Sequence, residues 1–71
     1  MFTAQEFGLT KEAFESAKVS TRAFVESLMR DGGYSLVEKT YLDLKMLDRY
    51  QALDGLGKYR LAVLANILVM A

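Results

Sequence analysis

The stretch RDGGYS (residues 30–35) places two consecutive glycines between two segments rich in Ala, Leu, Glu and Lys. Those residue types are strong helix formers, whereas Gly commonly ends a helix. Arg30 suits the last turn of a helix, where the backbone dipole is negative. Ser35, with Glu38 three residues later, has the spacing of a capping box. The stretch therefore predicts that one helix ends near Arg30 and a second begins near residue 36.

The second of these helices is predicted to run over residues 36–53 and carries two apolar stripes instead of one. The first stripe comprises Val37, Tyr41, Leu44 and Leu47. The second comprises Leu42, Met46 and Leu53, and is interrupted by Arg49. A surface helix of a small monomer normally needs only one apolar stripe. We therefore expect this helix to lie between its own chain and a partner.

The C-terminal segment KYRLAVLANILVMA (residues 58–71) follows the turn DGLG and is apolar beyond residue 60 except for Asn66. A helix that is apolar on all sides is buried on most of them, and so short a chain has little to cover it. We predict self-association through this helix; the alternative is a core helix of a compact monomer. Asn66 would then either fix the dimer register or face solvent. The predicted dimer or partner interface comprises Leu42, Met46, Arg49, Leu53, Leu61, Leu64, Asn66, Ile67 and Leu68.

Upstream of the glycines, one pattern occurs three times: an apolar residue, then Ser or Thr, then Phe four residues after the Ser or Thr. The three copies are Phe2-Thr3…Phe7, Leu9-Thr10…Phe14 and Val19-Ser20…Phe24. A Ser or Thr N-cap with a hydrophobic staple has this spacing, and Thr3 with Glu6 adds a capping box. The pattern predicts helices over residues 4–8, 11–17 and 21–30. The alternative is one long helix with incidental Ser and Thr.

Together these segments predict one all-α domain over residues 1–71, a small bundle of about five helices. The sequence has no Cys and no His, so a disulfide, a Cys-based zinc site and His-based catalysis are excluded, and we expect a non-enzymatic protein without cofactors. The N-terminus lacks the basic flank and apolar run of a signal peptide. The C-terminal apolar run is too short to cross a bilayer of about 30 Å. We therefore expect a cytoplasmic protein that does not insert into a membrane.

The segment LTKEAFESAKVSTRAFVESLMRDG (residues 9–32) resembles small helix-turn-helix regulators of the Xre/Cro and excisionase-like kind. Thr10 matches the residue that opens the first helix of that motif, and Val19-Ser20 matches the pair that opens its recognition helix. The segment DRYQALDGLGKYRLAVL (residues 48–64) is similar to the run that follows the binding domain in phage-type Xre regulators. By this resemblance, the outer face of the recognition helix, which would contact DNA or a partner, comprises Thr21, Arg22, Val25, Glu26 and Arg30. The sequence departs from the pattern at Lys18, where the motif has a turn glycine.

Two functions follow from these observations. The first is a dimeric helical module that binds and covers a surface of another protein, as a phage or bacterial regulator or inhibitor would. The second is a helix-turn-helix regulator that reads DNA with helix 21–30. The formal net charge is zero, with nine basic and nine acidic residues. Because DNA binding needs clustered Lys and Arg to neutralise phosphates, the charge balance favours the first function.

Overall fold

The computed structural model describes residues 2–70, which form a short 3₁₀ turn and two α-helices. The 3₁₀ turn spans Ala4–Phe7, helix α1 spans Lys11–Arg49 and helix α2 spans Gly55–Met70. The all-α prediction is confirmed. The predicted bundle of about five helices is wrong, because the segments expected to be separate helices are merged within α1.

Helix α1 is bent sharply at Gly33, whose backbone is not helical (φ 65°, ψ −151°). A straight helix of 39 residues would be about 58 Å long at 1.5 Å per residue. The longest dimension of the molecule is only 32 Å, so α1 must fold back at this glycine. We refer to residues 11–32 as the N-terminal arm of α1 and to residues 34–49 as its C-terminal arm.

The first two predicted caps are present. The Glu6 carboxylate accepts hydrogen bonds from the Thr3 backbone N–H at 2.7 Å and from the Thr3 hydroxyl at 3.0 Å. The Thr10 hydroxyl accepts from the backbone N–H of Ala13 at 3.0 Å and begins α1. The first element is a 3₁₀ turn ending at Phe7, shorter than the helix predicted over residues 4–8.

The third predicted cap, at Val19-Ser20, is wrong, because the N-terminal arm continues through it without a turn. The two hydroxyls at this point bind a side chain instead of the backbone. The Ser20 hydroxyl accepts from Nη2 of Arg60, and Thr21 Oγ1 accepts from Nε of Arg60 at 3.3 Å. The tight turn that a helix-turn-helix requires is therefore not formed, and residues 21–30 are not a separate recognition helix.

The later helix boundaries also differ from the predicted ones. The helix resumes directly after Gly33, so Ser35 lies inside it and not at its N-cap. Helix α1 ends at Arg49, four residues before the predicted Leu53, and Gln51 in the connection has a left-handed φ of 56°. Helix α2 begins at Gly55, where the Asp54 carboxylate accepts from the Gly57 N–H at 2.8 Å.

An aromatic cluster around Tyr59 joins the chain start to both helices. The Tyr59 ring makes edge-to-face contacts with the rings of Phe2, Phe7 and Phe14, at centroid distances of 6.1, 5.4 and 5.3 Å. Such pairs contribute about 0.5–1.5 kcal/mol each beyond the area they bury. Two aliphatic side chains, Val37 of the C-terminal arm and Leu64 of α2, are completely buried. The core therefore joins the N-terminal arm to α2, and the burial of Val37 shows that the C-terminal arm also packs against the rest of the molecule.

Candidate functional site

The C-terminal arm of α1 has one face that packs inside the molecule and an opposite face that is exposed. Val37 is fully buried. Met46 follows it by nine residues, which at 100° per residue places it on the opposite side of the helix. Met46 is 60% exposed, Leu42 is 56% exposed and Tyr50 is 73% exposed. Leu42 and Met46 of the predicted second stripe thus point into solvent, and Tyr50 continues their row. Leu53, the third member of that stripe, is half-buried in the connection after α1.

Two basic side chains flank this row on one side. A hollow of about 290 Å³ is lined by Leu42, Met46, Lys45 and Arg49. Lys45 Nζ donates a hydrogen bond to the Tyr41 hydroxyl at 3.3 Å, which holds the ammonium group beside the hollow. We call the surface formed by Leu42, Lys45, Met46, Arg49 and Tyr50 the outer face.

The two flanks of the outer face differ in charge. On the flank opposite Lys45 and Arg49, Lys39 Nζ lies 3.3 Å from the Asp43 carboxylate, and this pair is neutral. On the basic flank the nearest carboxylates are those of Asp48, three residues after Lys45, and of Glu38, seven residues before it and about 10 Å away along the helix axis. The ion pairs among the described residues are Glu15–Lys18 and Lys39–Asp43, so Lys45 and Arg49 are not engaged in one. The outer face therefore combines an apolar row with two basic side chains along one edge.

The molecule exposes more surface than its size requires. Its accessible surface is 5,094 Å², whereas a compact monomer of this length has about 4,450 Å². The exposed row of the outer face contributes to this excess.

A second hollow lies between the N-terminal arm and α2 and collects most of the residues that the helix-turn-helix resemblance singled out. It has a volume of about 300 Å³, and its lining includes Thr21, Arg22, Val25 and Glu26. Thr21 is only 2% exposed, so its prediction as an outward-facing contact residue is wrong. Arg22 and Glu26 are exposed, Val25 is half-buried, and Arg30 is exposed but does not line this hollow.

The charges around this second hollow offset one another. Lys18 Nζ lies 2.9 Å from the Glu15 carboxylate and 5.1 Å from the centre of the Phe14 ring, so its charge is already engaged. Arg22 and Glu26, one helical turn apart, carry opposite charges.

A third hollow, of about 340 Å³, is lined by Leu9, Ala13, Ser16, Ala17, Ser20 and Leu56. It has no charged lining residue, and no pattern in the sequence indicated it.

The predicted interface residues of α2 are divided by the structure. Leu64 is completely buried within the monomer, so its prediction as a dimer contact is wrong, and the core-helix alternative applies to it. Leu61, Ile67 and Leu68 are half-buried and Asn66 is exposed. Leu53 is half-buried in the connection between the helices. Of the predicted set, Leu42, Met46 and Arg49 therefore lie together on the outer face, and the α2 residues do not join them.

Sequence reasoning missed two members of the outer face, Lys45 and Tyr50. Tyr50 continues the row from Leu42 and Met46 at intervals of four residues, a signal present in the sequence. Lys45 precedes Met46, and only the angular arrangement of a helix shows that it lies on the same flank as Arg49.

Comparison with known proteins gives no relative: no family model, curated protein or solved structure matches the chain. The resemblance to helix-turn-helix regulators therefore has no match to support it. Within residues 2–70, neither helix combines the length and the apolar character that crossing a bilayer requires.

Proposed function

We propose that the protein is a non-enzymatic helical module that acts by binding another protein through its outer face. The observation that carries the proposal is the exposure of Leu42 and Met46, side by side, opposite the fully buried Val37. Bare apolar rows of this kind mark interaction sites more often than ordinary surface. Tyr50 and Arg49 at its end are residue types enriched in the energetic centres of interfaces.

The mechanism we propose is occlusion: the rigid C-terminal arm lies along a partner surface and covers it. The arm is already helical and is anchored by the fully buried Val37, so binding need not order it first. Little conformational entropy is then lost on association. The N-terminal arm has no turn at residues 18–20 and Thr21 is buried, and both observations disfavour the DNA-reading alternative.

Site-specific photo-cross-linking tests this function. A photo-reactive amino acid replaces Met46 on the outer face or, as a control, the exposed Glu12 on the N-terminal arm, in cells that express the protein. We expect a discrete cross-linked product from position 46, none from position 12, and loss of the product when Leu42→Glu is added. Equal products from both positions, or a product that survives Leu42→Glu, would contradict the proposal.

A further inference from the structure

The outer face has a charge pattern that selects the kind of partner it fits. Its apolar row runs from Leu42 through Met46 to Tyr50, eight steps along the chain or about 12 Å, which is the length of roughly two helical turns. One edge carries Lys45 and Arg49, and the other carries the neutral Lys39–Asp43 pair. A complementary surface would therefore have apolar side chains in its centre and carboxylates along one edge only.

A second copy of the chain fits this pattern poorly. Consider an antiparallel pair related by a two-fold axis, in which Leu42 of one copy packs on Met46 of the other. The two-fold axis then places the Lys45 edge of one copy beside the Lys45 edge of the other. In this register Lys45 of one copy would face Lys45 of the other near the two-fold axis, while Arg49 would face Glu38. In a parallel pair at coiled-coil spacing, Glu38 of one copy would face Asp43 of the other. Both arrangements place like charges opposite each other.

We propose that the outer face binds an acidic amphipathic helix of another protein. This proposal rests on the proposed function and adds the chemistry of the partner. The partner helix presents two apolar anchors one turn apart, which pack against Leu42 and Met46. Its carboxylates lie along the edge of Lys45 and Arg49, where Arg49 offers a planar guanidinium suited to bidentate pairing. Helix-in-groove recognition of this kind uses anchors at i, i+3 or i+4, and i+7.

The experiment is a selection from a displayed library of helical peptides against the full chain. The library varies Leu, Ile and Phe in the apolar stripe, and Glu, Gln and Lys along both edges. Peptides that bind the wild type are measured against three variants: Leu42→Gln/Met46→Gln, Lys45→Glu/Arg49→Glu, and the control Lys11→Glu/Lys58→Glu. The control makes the same change in net charge at two exposed positions away from the outer face.

We expect the enriched peptides to carry Glu along one edge. Their dissociation constants should rise about tenfold with Lys45→Glu/Arg49→Glu and stay unchanged with the control pair. Binding should be abolished by Leu42→Gln/Met46→Gln. Lys-edged peptides should bind the charge-reversed variant better than they bind the wild type.

Three results would overturn the inference, and they are distinguishable. Peptides that require Leu42 and Met46 but show no preference for Glu would refute the acidic partner and leave the proposed function standing. Selected peptides that ignore Leu42→Gln/Met46→Gln would refute both. A wild-type dimer in light scattering that becomes a monomer in Leu42→Gln/Met46→Gln would identify a second copy as the occupant.

Discussion

Arg60 and Thr21, 39 residues apart in the chain, are joined by a hydrogen bond of 3.3 Å from the guanidinium Nε to the threonine hydroxyl. The same guanidinium donates to the Ser20 hydroxyl and lies 4.6 Å above the Phe24 ring. These contacts attach the start of α2 to the middle of the N-terminal arm. They also explain why Ser20 and Thr21, which have the residue types of helix caps, lie inside a continuous helix.

The substitution Thr21→Val should destabilise the protein by about 1–2 kcal/mol. Valine keeps the shape of the buried side chain but removes the acceptor, which leaves a partly buried guanidinium donor without its bond. Urea unfolding followed by circular dichroism measures the loss. The exposed Ser20→Ala should cost less, because water replaces the hydroxyl there. A Thr21→Val variant as stable as the wild type would show that the Arg60 contact does not stabilise the fold.

Gly33→Ala should lower the free energy of unfolding by about 1–3 kcal/mol, since φ 65° with ψ −151° is a conformation that essentially only glycine adopts. The loss would not come from a steric clash of the side chain, because a Cβ at position 33 would have no neighbouring atom within 4 Å. A chemically synthesised chain with D-alanine at this position is the control, because these angles are the mirror image of an ordinary extended conformation. Equal losses with L- and D-alanine would rule out the backbone explanation.

Gly55→Ala should also destabilise the protein, by about 1–3 kcal/mol, but through crowding. A Cβ at Gly55 would lie 2.6 Å from the Phe7 carbonyl oxygen and 2.6 Å from Leu9 Cδ2. The leucine can move, whereas the carbonyl belongs to the backbone of the tightly packed chain start. The loss should therefore persist in a Leu9→Ala background, as thermal unfolding would measure. Full rescue by Leu9→Ala would assign the clash to the leucine alone.

Leu64→Ala and Leu42→Ala make the same chemical change but should differ greatly in their effect on stability. Leu64 is fully buried, so its truncation should cost about 2–5 kcal/mol. Leu42 is 56% exposed, so its truncation should change the stability of the monomer by no more than about 0.5 kcal/mol. Denaturant titration of both variants measures the difference. Similar losses at the two positions would mean that Leu42 is covered in solution.

The sequence predicted the helical class, the capping box at Thr3, the cap at Thr10, and a second stripe, separate from the one with Val37, that contains Leu42 and Met46. These are local signals: a cap is decided by residues within one turn, and a stripe by helical periodicity. The prediction failed at Ser20, where the outcome depends on Arg60, a residue 40 positions away. A Ser that caps a helix and a Ser in the middle of a helix that binds a distant guanidinium can have the same neighbouring residues. The local sequence therefore does not distinguish the two roles.

The assignment of Leu64 failed for a related reason. The apolar residues of α2 indicate that this helix must be buried, but the sequence does not show whether its own chain or a second molecule buries it. The bend at Gly33 returns the C-terminal arm toward the rest of the chain, and Leu64 is then buried within the monomer. Which residues cover α2 depends on how the helices pack in three dimensions, and the periodicity of one segment does not show this.

The bend at Gly33 also decides whether the chain completes its core alone. If α1 straightened at this residue, it would become a rod of about 58 Å. The C-terminal arm and α2 would then lie too far from the N-terminal arm to pack on it. Two such rods, side by side and antiparallel, could each receive the missing half from the other and rebuild the contacts away from the bend in both molecules. A change of backbone conformation at Gly33 alone would therefore suffice for two molecules to exchange halves.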